Sequence, residues 1–418
     1  MEDASRFGWD SQPRTGVIHT LVWMGAANTA RTRTTVRPEV QALRAVAVGA
    51  VVLHHGWPAV APAGYMGVDV FFVVSGFLIT GLLLRDVART GRMRLGDFYL
   101  RRARRILPAA LVVLLAVVLA TVCLAPPRLW GVWLREVVAS GLYFQNWLLL
   151  ADSQNPALAD LDSSPVQHFW SLSVEEQFYL VWPLLLLLGL WLATRRGVNR
   201  VVVLAVVLGV VTAASFVLEV MATAADHNVA YFSTLTRAWE FGVGGILALV
   251  AGTPLAARHA LRAGVSWAGL ALIVVPILTF RVTEAFPGVV VLAPVLGTLA
   301  VIWAGMPEVA WSPARLAGLR PVQWLGDISY SLYLWHWPIF MFVPYVTGMP
   351  SPAWLMALLV AASITVAGLS KRFVEDPLRR PWRGRRDRRR DGRQGVSAGG
   401  GRARHARVAR MPRLWQTR

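Results

Sequence analysis

Long apolar runs constrain this chain more than any other feature of its sequence. Each covers about 17 to 22 residues, which is the length an α-helix needs to cross the hydrocarbon core of a bilayer. The composition agrees, since 56% of the residues are hydrophobic, 16% are charged and the mean hydropathy is +0.50. We therefore predict an all-α integral membrane fold, a bundle of about ten transmembrane helices plus one interfacial or re-entrant helix. The predicted spans are 40–57, 66–84, 106–124, 172–193, 201–220, 234–251, 264–280, 289–304, 328–345 and 353–369.

An eleventh run, 130–150, decides the predicted topology. It is long enough to cross but carries Arg135 and Glu136 in its middle. If it crosses, the later basic loops lie on the opposite side from the arginine-rich loop after the second span; if it does not, they all lie on the same side. The positive-inside rule favours the second case. We therefore expect both termini in the cytoplasm and 130–150 at the outer surface, and the basic loops that decide this are those at Arg195, Arg196 and Arg200, at Arg258 and Arg262, and at Arg315 and Arg320.

Composition divides the chain into three parts. Residues 1–36 are predicted to be a disordered N-terminal extension, 37–378 the membrane domain, and 379–418 a disordered, arginine-rich cytoplasmic tail. The tail holds fifteen arginines and two aspartates, and therefore contributes most of the net charge of +19. Such a tail is expected to contact anionic lipid headgroups. It has no interleaved aromatic residues and no folded nucleic-acid-binding module, so we expect no nucleic-acid partner.

The first span carries the strongest candidate site. Arg44 and His55 are eleven positions apart, which places both on one helix face about 16 Å apart, whereas His54 lies about 80° away from that face. Titratable side chains inside a membrane usually face a bundle interior or a water-filled cavity. The alternative is that Arg44 marks the cytoplasmic flank and the histidines lie among the opposite headgroups. With a single cysteine, Cys123, the chain offers no disulfide, and we predict no metal site.

Other polar residues fall mainly in the outer half of the predicted bundle. Each has a structural alternative: a polar helix start for Asp69, a helix-entry carboxylate for Glu175 and Glu176, and mutual neutralisation for Arg237 with Glu240. Three residues at three-residue spacing on the ninth span also form a polar stripe that suits helix packing as well as binding. The outer-half candidates and the stripe are Asp69, His168, Glu175, Glu176, Arg237 and Glu240, with Tyr330, Tyr333 and His336.

Seven sequence blocks in order resemble the acyltransferase 3 family of multi-span membrane acyltransferases, over roughly residues 37–380. The first contains the family's arginine-ten-residues-histidine signature, which selects the same Arg44 and His55. The blocks are LRAVAVGAVVLHH, GVDVFFVVSGFLIT, FYLRRARRILPA, HFWSLSVEEQFYLVWP, TRAWEFGVGGILAL, LGDISYSLYLWHWP and FVEDPLRR.

The resemblance implies transfer of an acyl group, commonly acetyl, from cytoplasmic acyl-CoA to a hydroxyl group. An imidazole suits removal of the hydroxyl proton at neutral pH, so His55 is the candidate base or, alternatively, a covalent acyl carrier. A carboxylate from Asp69 or Glu176 is expected to orient its ring. Arg44 and the run Arg101, Arg102, Arg104 and Arg105 are expected to hold the phosphates and pantetheine of coenzyme A, which binds as a donor substrate and not as a permanent cofactor. The outer residues His168, Arg237, Glu240, Tyr330, Tyr333 and His336 are candidates for acceptor binding.

The expected acceptor is a carbohydrate, a lipid-linked glycan or a secreted metabolite such as a macrolide. Many relatives continue into an extracytoplasmic hydrolase-like domain, and no such block follows the membrane domain in this sequence. We therefore expect the protein to act alone on a small or lipid-linked acceptor, or to hand the acyl group to a separate partner acyltransferase. The competing hypothesis is a transporter of a polar lipid or metabolite that performs no chemistry.

Overall fold

The computed structural model describes residues 37–155, 163–250, 258–281, 286–348 and 351–379, and these residues form helices without any β-strand. The predicted extension at 1–36 and, apart from Arg379, the tail at 379–418 lie outside the described residues. The helices are α1 Pro38–Gly56, α2 Gly67–Thr90, α3 Leu95–Leu124, α4 Pro127–Gly141, α5 Gln145–Ser153, α6 Phe169–Arg196, α7 Arg200–Ala225, α8 His227–Phe232, α9 Thr234–Val250, α10 His259–Thr279, α11 Leu292–Ala304, α12 Ala314–Ala317, α13 Arg320–Thr347, α14 Ala353–Ser370 and α15 Asp376–Arg379.

Local sequence signals set several of these boundaries. α1 begins with a proline in its first turn, where the missing N–H would have no helical partner. α2 and α6 end at Gly91 and Gly197, whose φ angles of 73° and 61° are in the left-handed region that glycine adopts without a steric penalty. The chain turns sharply after each glycine, and α3 and α7 follow within a few residues.

Six segments of the described chain are long and apolar enough to cross a membrane: Gly64–Thr90, Leu95–Leu124, Phe169–Arg196, Arg200–Ala225, His259–Thr279 and Ala353–Arg379. Length and composition therefore support six of the roughly ten predicted spans. The other four predicted spans are α1, α9, α11 and α13. α11 has only 13 residues. α9 has 17 residues and is also short for a span. α1 and α13 are longer, but they carry polar and titratable side chains, among them Arg44 and His55 in α1 and His336 in α13, which lower their hydropathy.

The ambiguous run 130–150 forms two short helices. α4 has 15 residues and α5 has nine, so neither is long enough to cross a bilayer. α5 lies against α6 and the end of α8: the side-chain amide of Asn146 donates to the Phe232 carbonyl at 3.0 Å, and the indole of Trp147 donates to Gln177 Oε1 at 3.0 Å.

The helix ends gather at two levels of the bundle. At one level Arg37 donates to the carbonyl of Ile302 at 2.8 Å, and Gln323 donates to that of Pro38 at 2.8 Å, so the starts of α1 and α13 meet the end of α11. At the other level the backbone N–H of Ala63 donates to the Ile277 carbonyl at 3.1 Å, which joins the loop after α1 to the end of α10. Arg262, near the start of α10, also donates to the Ala304 carbonyl at the end of α11 at 2.8 Å. α1, α10 and α13 therefore run in one direction and α11 runs in the opposite direction.

α2 and α9 cross at very short range because both carry glycine at the crossing. A Cβ atom on Gly76 would lie 2.0 Å from the carbonyl oxygen of Phe241, and one on Gly244 would lie 2.1 Å from that of Val73. Small residues of this kind allow membrane helices to pack backbone against backbone. The contact brings the polar residues of α2 beside those of α9.

Candidate active site

α1 carries the two residues that the sequence pairs, and it places them in different surroundings. Arg44 donates from Nη1 to Gln41 Oε1 at 2.7 Å and lines a cavity inside the bundle. His55 lies in the last turn of α1 and contacts other aromatic rings. His54 faces the following loop instead, where its Nδ1 lies 3.0 Å from the Ala61 carbonyl. The difference between the two histidine faces agrees with the helical spacing.

The ring of His55 contacts a second histidine from α13. His55 Nδ1 lies 3.0 Å from His336 Nε2, and the two rings stack with their centroids 5.2 Å apart. The indole of Trp337 covers His55 with a centroid distance of 4.5 Å. We expected a carboxylate at this position; in the structure the partner of His55 Nδ1 is an imidazole. His336 itself is fully buried.

A third histidine, His168, lies against the same group. Its ring centroid is 5.7 Å from that of His336 and 5.5 Å from that of Tyr333. His168 Nε2 lies 3.2 Å from the carbonyl oxygen of Leu334. That carbonyl lacks its usual helical partner, because the residue four positions later is Pro338, which has no N–H. Pro338 therefore leaves the Leu334 carbonyl free to accept from His168, and this contact orients the His168 ring.

A cavity of about 80 Å³ lies among α1, α2, α3, α6 and α13. Its lining combines arginines, carboxyl groups and hydroxyl groups with apolar side chains. The polar lining residues are Arg44, Ser75, Arg102, Arg105, Ser171, Glu175, Glu176, Tyr179, Ser329, Tyr330 and Tyr333. Of these, sequence reasoning missed the serines and Tyr179, because a hydroxyl in an apolar run gives no signal of which way it faces.

The arginine run of α3 divides between two faces. Arg102 and Arg105, three positions apart, line the cavity, whereas Arg101 is exposed and Arg104 is not part of the lining. The guanidinium of Arg102 also lies over the ring of Tyr179, 5.3 Å from its centroid. The cavity therefore holds two arginines of the predicted run together with Arg44.

Glu175 and Glu176 come from α6 and line the same cavity as these arginines. Glu175 accepts hydrogen bonds from the Ser75 hydroxyl and the Tyr179 hydroxyl. Glu176 lines the cavity beside it. Both predicted glutamates are thus near the arginines, and neither is the hydrogen-bond partner of His55.

Asp69 contacts Arg237, and both are buried with Glu240. Arg237 donates from Nη2 to Asp69 Oδ1, its Nε lies 3.0 Å from Glu240 Oε1, and its Nη1 lies 4.0 Å from Glu219 Oε2. Each side chain is at most 1% exposed. The sequence predicted Asp69 beside His55, and Arg237 and Glu240 at the acceptor site. The structure instead gathers these three residues, with Glu219, into one ion cluster. Glu219 was not predicted, although a lone carboxylate inside an apolar run of α7 was a signal.

Tyr333 lies between the cavity and the histidines. It lines the cavity, and its ring centroid is 5.6 Å from that of His336. Its hydroxyl is 2.7 Å from Ser171 Oγ and donates to the His168 carbonyl at 3.1 Å. Tyr330 also lines the cavity and donates to the Ile106 carbonyl at 2.9 Å. The predicted stripe therefore serves two regions, with the tyrosines at the cavity and His336 beside His55.

Comparison with known proteins assigns the chain to a family. Residues 37–371 match the model of the Acyltransferase 3 family, described as an acyltransferase domain. The chain is 34% identical over 360 residues to peptidoglycan O-acetyltransferase OatA of Listeria monocytogenes. The aligned region covers 82% of this chain and 56% of the relative. The chain is 31% identical to the putative peptidoglycan O-acetyltransferase YrhL of Bacillus subtilis, covering 82% and 55% of the two chains. A putative O-acetyltransferase of Staphylococcus aureus is 32% identical, with 82% and 57% covered.

The chain spans little more than half the length of these curated relatives. No solved structure matches it significantly. The family match covers α1 to α14 and confirms the resemblance carried by the seven sequence blocks. The chain is therefore a multi-pass membrane protein that belongs to the acyltransferase 3 family.

Proposed function

We propose that this protein is an integral-membrane O-acyltransferase that moves an acyl group, expected to be acetyl, from acyl-CoA to a hydroxyl of an acceptor outside the cytoplasm. One observation carries the proposal. Tyr333 has the arginine-lined cavity on one side and His336, which pairs with His55, on the other. A phosphate-bearing donor and a hydroxyl-bearing acceptor would need these two chemistries side by side.

The arginines suit the phosphates of coenzyme A. Guanidinium groups bind phosphate with two parallel hydrogen bonds, and Arg44, Arg102 and Arg105 all border one cavity. Arg102 and Arg105 belong to the first turns of α3, which follow the arginine-rich loop. We assign Arg44, which comes from α1, the pantetheine arm or the pyrophosphate, and the α3 arginines the other phosphates. The thioester would then extend past Tyr333 toward His55.

His55 is the proposed base. Its ring takes the proton of the acceptor hydroxyl while the hydroxyl oxygen attacks the thioester carbonyl carbon. The carbon–sulfur bond breaks, the ester forms, and the proton passes from His55 to the departing thiolate of coenzyme A. In the alternative course His55 attacks the thioester itself and carries the acyl group to the acceptor as an acyl-imidazole. Both courses use the same ring and give the same ester and free coenzyme A.

Aromatic side chains around His55 suit a sugar or macrocycle as acceptor. The indole of Trp337 lies against His55 and is held by a 2.8 Å hydrogen bond to the Ser164 carbonyl. Such a ring offers a flat apolar face for the C–H face of a sugar. The relatives named as peptidoglycan O-acetyltransferases favour a cell-wall glycan or its lipid-linked precursor. A secreted metabolite such as a macrolide remains a candidate, as does transfer to a separate partner acyltransferase.

The proposed topology has ten spans with both termini in the cytoplasm. The shared direction of α1, α10 and α13 and the opposite direction of α11 support it. In this topology every basic loop lies on the cytoplasmic side. α4 and α5 would lie at the outer surface without crossing. The arginine-rich tail would lie against anionic lipid on the inner surface.

The test uses purified protein in lipid, radiolabelled acetyl-CoA and a panel of acceptors: peptidoglycan fragments, lipid-linked glycan precursors and macrolides. We expect release of free coenzyme A that depends on one acceptor class and a labelled ester as product. His55→Ala should reduce turnover by about 10²- to 10⁴-fold, the usual contribution of a general base, and should leave insertion intact. His54→Ala is the matched control and should keep most of the activity, since its ring faces the Ala61 loop.

Equal loss in the two histidine variants would refute the choice of His55. If acetyl-CoA and longer acyl-CoA thioesters neither bind nor turn over with any acceptor, the acyl-CoA proposal fails. Uptake of an unmodified polar lipid or metabolite by protein-containing vesicles would then favour the transporter hypothesis.

A further inference from the structure

The direction of the hydrogen bonds around His336 can be read from its backbone partners. His336 Nδ1 lies 3.1 Å from the Leu332 carbonyl oxygen and 2.8 Å from that of Tyr333. A carbonyl oxygen only accepts hydrogen bonds, so the proton of the His336 ring is on Nδ1. A neutral imidazole has one N–H and one bare nitrogen. His336 Nε2 is therefore the bare nitrogen and acts as an acceptor.

This fixes the proton on the neighbouring ring as well. His55 Nδ1 lies 3.0 Å from His336 Nε2, and two bare nitrogens cannot form a hydrogen bond. His55 Nδ1 must therefore carry the proton and donate it to His336. In the neutral ring of His55 the remaining nitrogen, Nε2, is then bare and can accept a proton or attack a carbonyl carbon.

We propose that His336 is a positioning residue that holds His55 in the tautomer whose reactive nitrogen is Nε2. The inference rests on the proposed function, because it assigns the reacting atom of the proposed base. His336 touches neither donor nor acceptor in this scheme; it acts through the His55 ring. The chain of contacts runs from the backbone of α13 to His336 Nδ1, from His336 Nε2 to His55 Nδ1, and from His55 Nε2 to the acceptor hydroxyl.

The surroundings of His336 keep its ring in this orientation. The side chain is 0% exposed, and the ring of Phe340 packs edge-on against it at 5.9 Å. His168 packs on another side and is itself held by the Leu334 carbonyl that Pro338 leaves free. A ring enclosed in this way cannot turn to exchange its two nitrogens without displacing its neighbours.

A histidine partner differs chemically from the carboxylate found in many base-orienting pairs. The neutral ring of His336 accepts the hydrogen bond without bringing a negative charge to a buried position. His55 therefore has its tautomer fixed while its protonated form gains no ion pair at Nδ1. Such a base holds the acceptor proton briefly and returns it readily to the thiolate leaving group.

The experiment measures ring protonation directly in the full-length protein in lipid nanodiscs, labelled with ¹⁵N histidine. The ¹⁵N shift separates a bare ring nitrogen from a protonated one, and a His55→Gln difference spectrum assigns the His55 signals. We expect a bare Nε2 and a protonated Nδ1 on His55 in the wild-type protein without substrates. In His336→Leu, which removes the acceptor, we expect a mixture of both tautomers.

Turnover of acetyl-CoA supplies the second readout. His336→Leu should lower kcat by about 10²- to 10⁴-fold, the range expected when a base is lost or held in the wrong tautomer. In His336→Gln the side-chain amide oxygen reaches the position of Nε2 and can accept from His55, so kcat should stay within about tenfold of wild type. Tryptophan fluorescence melts of both variants check that the bundle is intact.

The outcomes separate this inference from the proposed function. A wild-type His55 with its proton on Nε2 overturns the inference, whatever the turnover. Equal loss of kcat in the Gln and Leu variants, with the bundle intact and the tautomer unchanged, also overturns it. A bare Nε2 in a protein that turns over no acyl-CoA would refute the proposed function and leave the hydrogen-bond direction standing.

Discussion

Arg237→Gln should destabilise the protein far more than Asp69→Asn, although the two residues form one ion pair. Three carboxyl groups surround a single guanidinium, and all four side chains are at most 1% exposed. Removing the arginine leaves three buried carboxyl groups without a cation, and breaking a buried pair in this way costs about 3–5 kcal/mol. Asp69→Asn leaves Arg237 beside Glu240 at 3.0 Å and Glu219 at 4.0 Å and keeps an oxygen that accepts its hydrogen bond. That change should cost about 1–2 kcal/mol.

Unfolding in detergent or nanodiscs, followed by fluorescence of the nineteen tryptophans, measures the difference. Arg89→Gln is the control, because Arg89 also pairs with a carboxylate but its side chain is 79% exposed. Exposed pairs contribute about 0–1 kcal/mol, so this variant should melt like the wild type. Turnover of acetyl-CoA is measured on the same samples at a temperature where all variants are folded.

Two results would refute this reasoning. Equal destabilisation by Arg237→Gln and Asp69→Asn would show that the excess of carboxyl groups does not govern the cluster. A wild-type melting temperature for Arg237→Gln, combined with a raised KM for the acceptor, would show that Arg237 binds substrate, as the sequence analysis expected.

Other substitutions test the cavity and the packing around it. Arg105→Gln should raise the KM for acetyl-CoA roughly 10- to 100-fold in the turnover assay, the equivalent of one charged hydrogen bond, while Arg104→Gln, which lies off the cavity, should change it little. Gly244→Ala should cost about 1–3 kcal/mol or more in unfolding experiments, because its Cβ would lie 2.1 Å from a carbonyl oxygen of α2. Gly264→Ala, which meets nothing within 4 Å, should be neutral or stabilise α10 by up to about 1 kcal/mol. Tyr333→Phe removes two hydrogen bonds, to Ser171 and to the His168 carbonyl, and should lower stability by about 1–2 kcal/mol in the same melts. Turnover should also fall, because the ring between the cavity and the histidines is then held less firmly.

Local regularities in the sequence were sufficient for much of the architecture. Hydrophobic run length predicted the helices, and the 100° period separated the face of Arg44 and His55 from that of His54. The same period explains why Arg102 and Arg105 share a cavity. These predictions succeed because each depends on a single helix.

Contacts between distant helices could not be predicted in this way. His55 and His336 are 281 positions apart, and Asp69 and Arg237 are 168 apart. The partner of each buried polar residue depends on how the helices pack against one another, and the residue pattern of a single helix carries no information about that packing. Length and composition alone support six of the predicted spans in the described residues, and the remaining ones, such as α1 and α13, combine apolar with polar and titratable residues.

The mixed character of α1 has a consequence for how the protein is made. A helix with Arg44 inside it enters a bilayer less readily than its neighbours, because an arginine at a helix centre opposes insertion by about 2.5–3.5 kcal/mol. α13, which supplies the partner of His55, is synthesised 281 residues later, an interval of roughly 15 to 60 s at about 5–20 residues per second. During that interval the nascent α1 has α2 against it but not α13. Its retention by α2, or by the insertion machinery, is therefore a step in biogenesis. Mutations at the close contact of α1 with α2, where a Cβ atom on Gly67 would lie 2.3 Å from the Ala47 carbonyl oxygen, can slow that step.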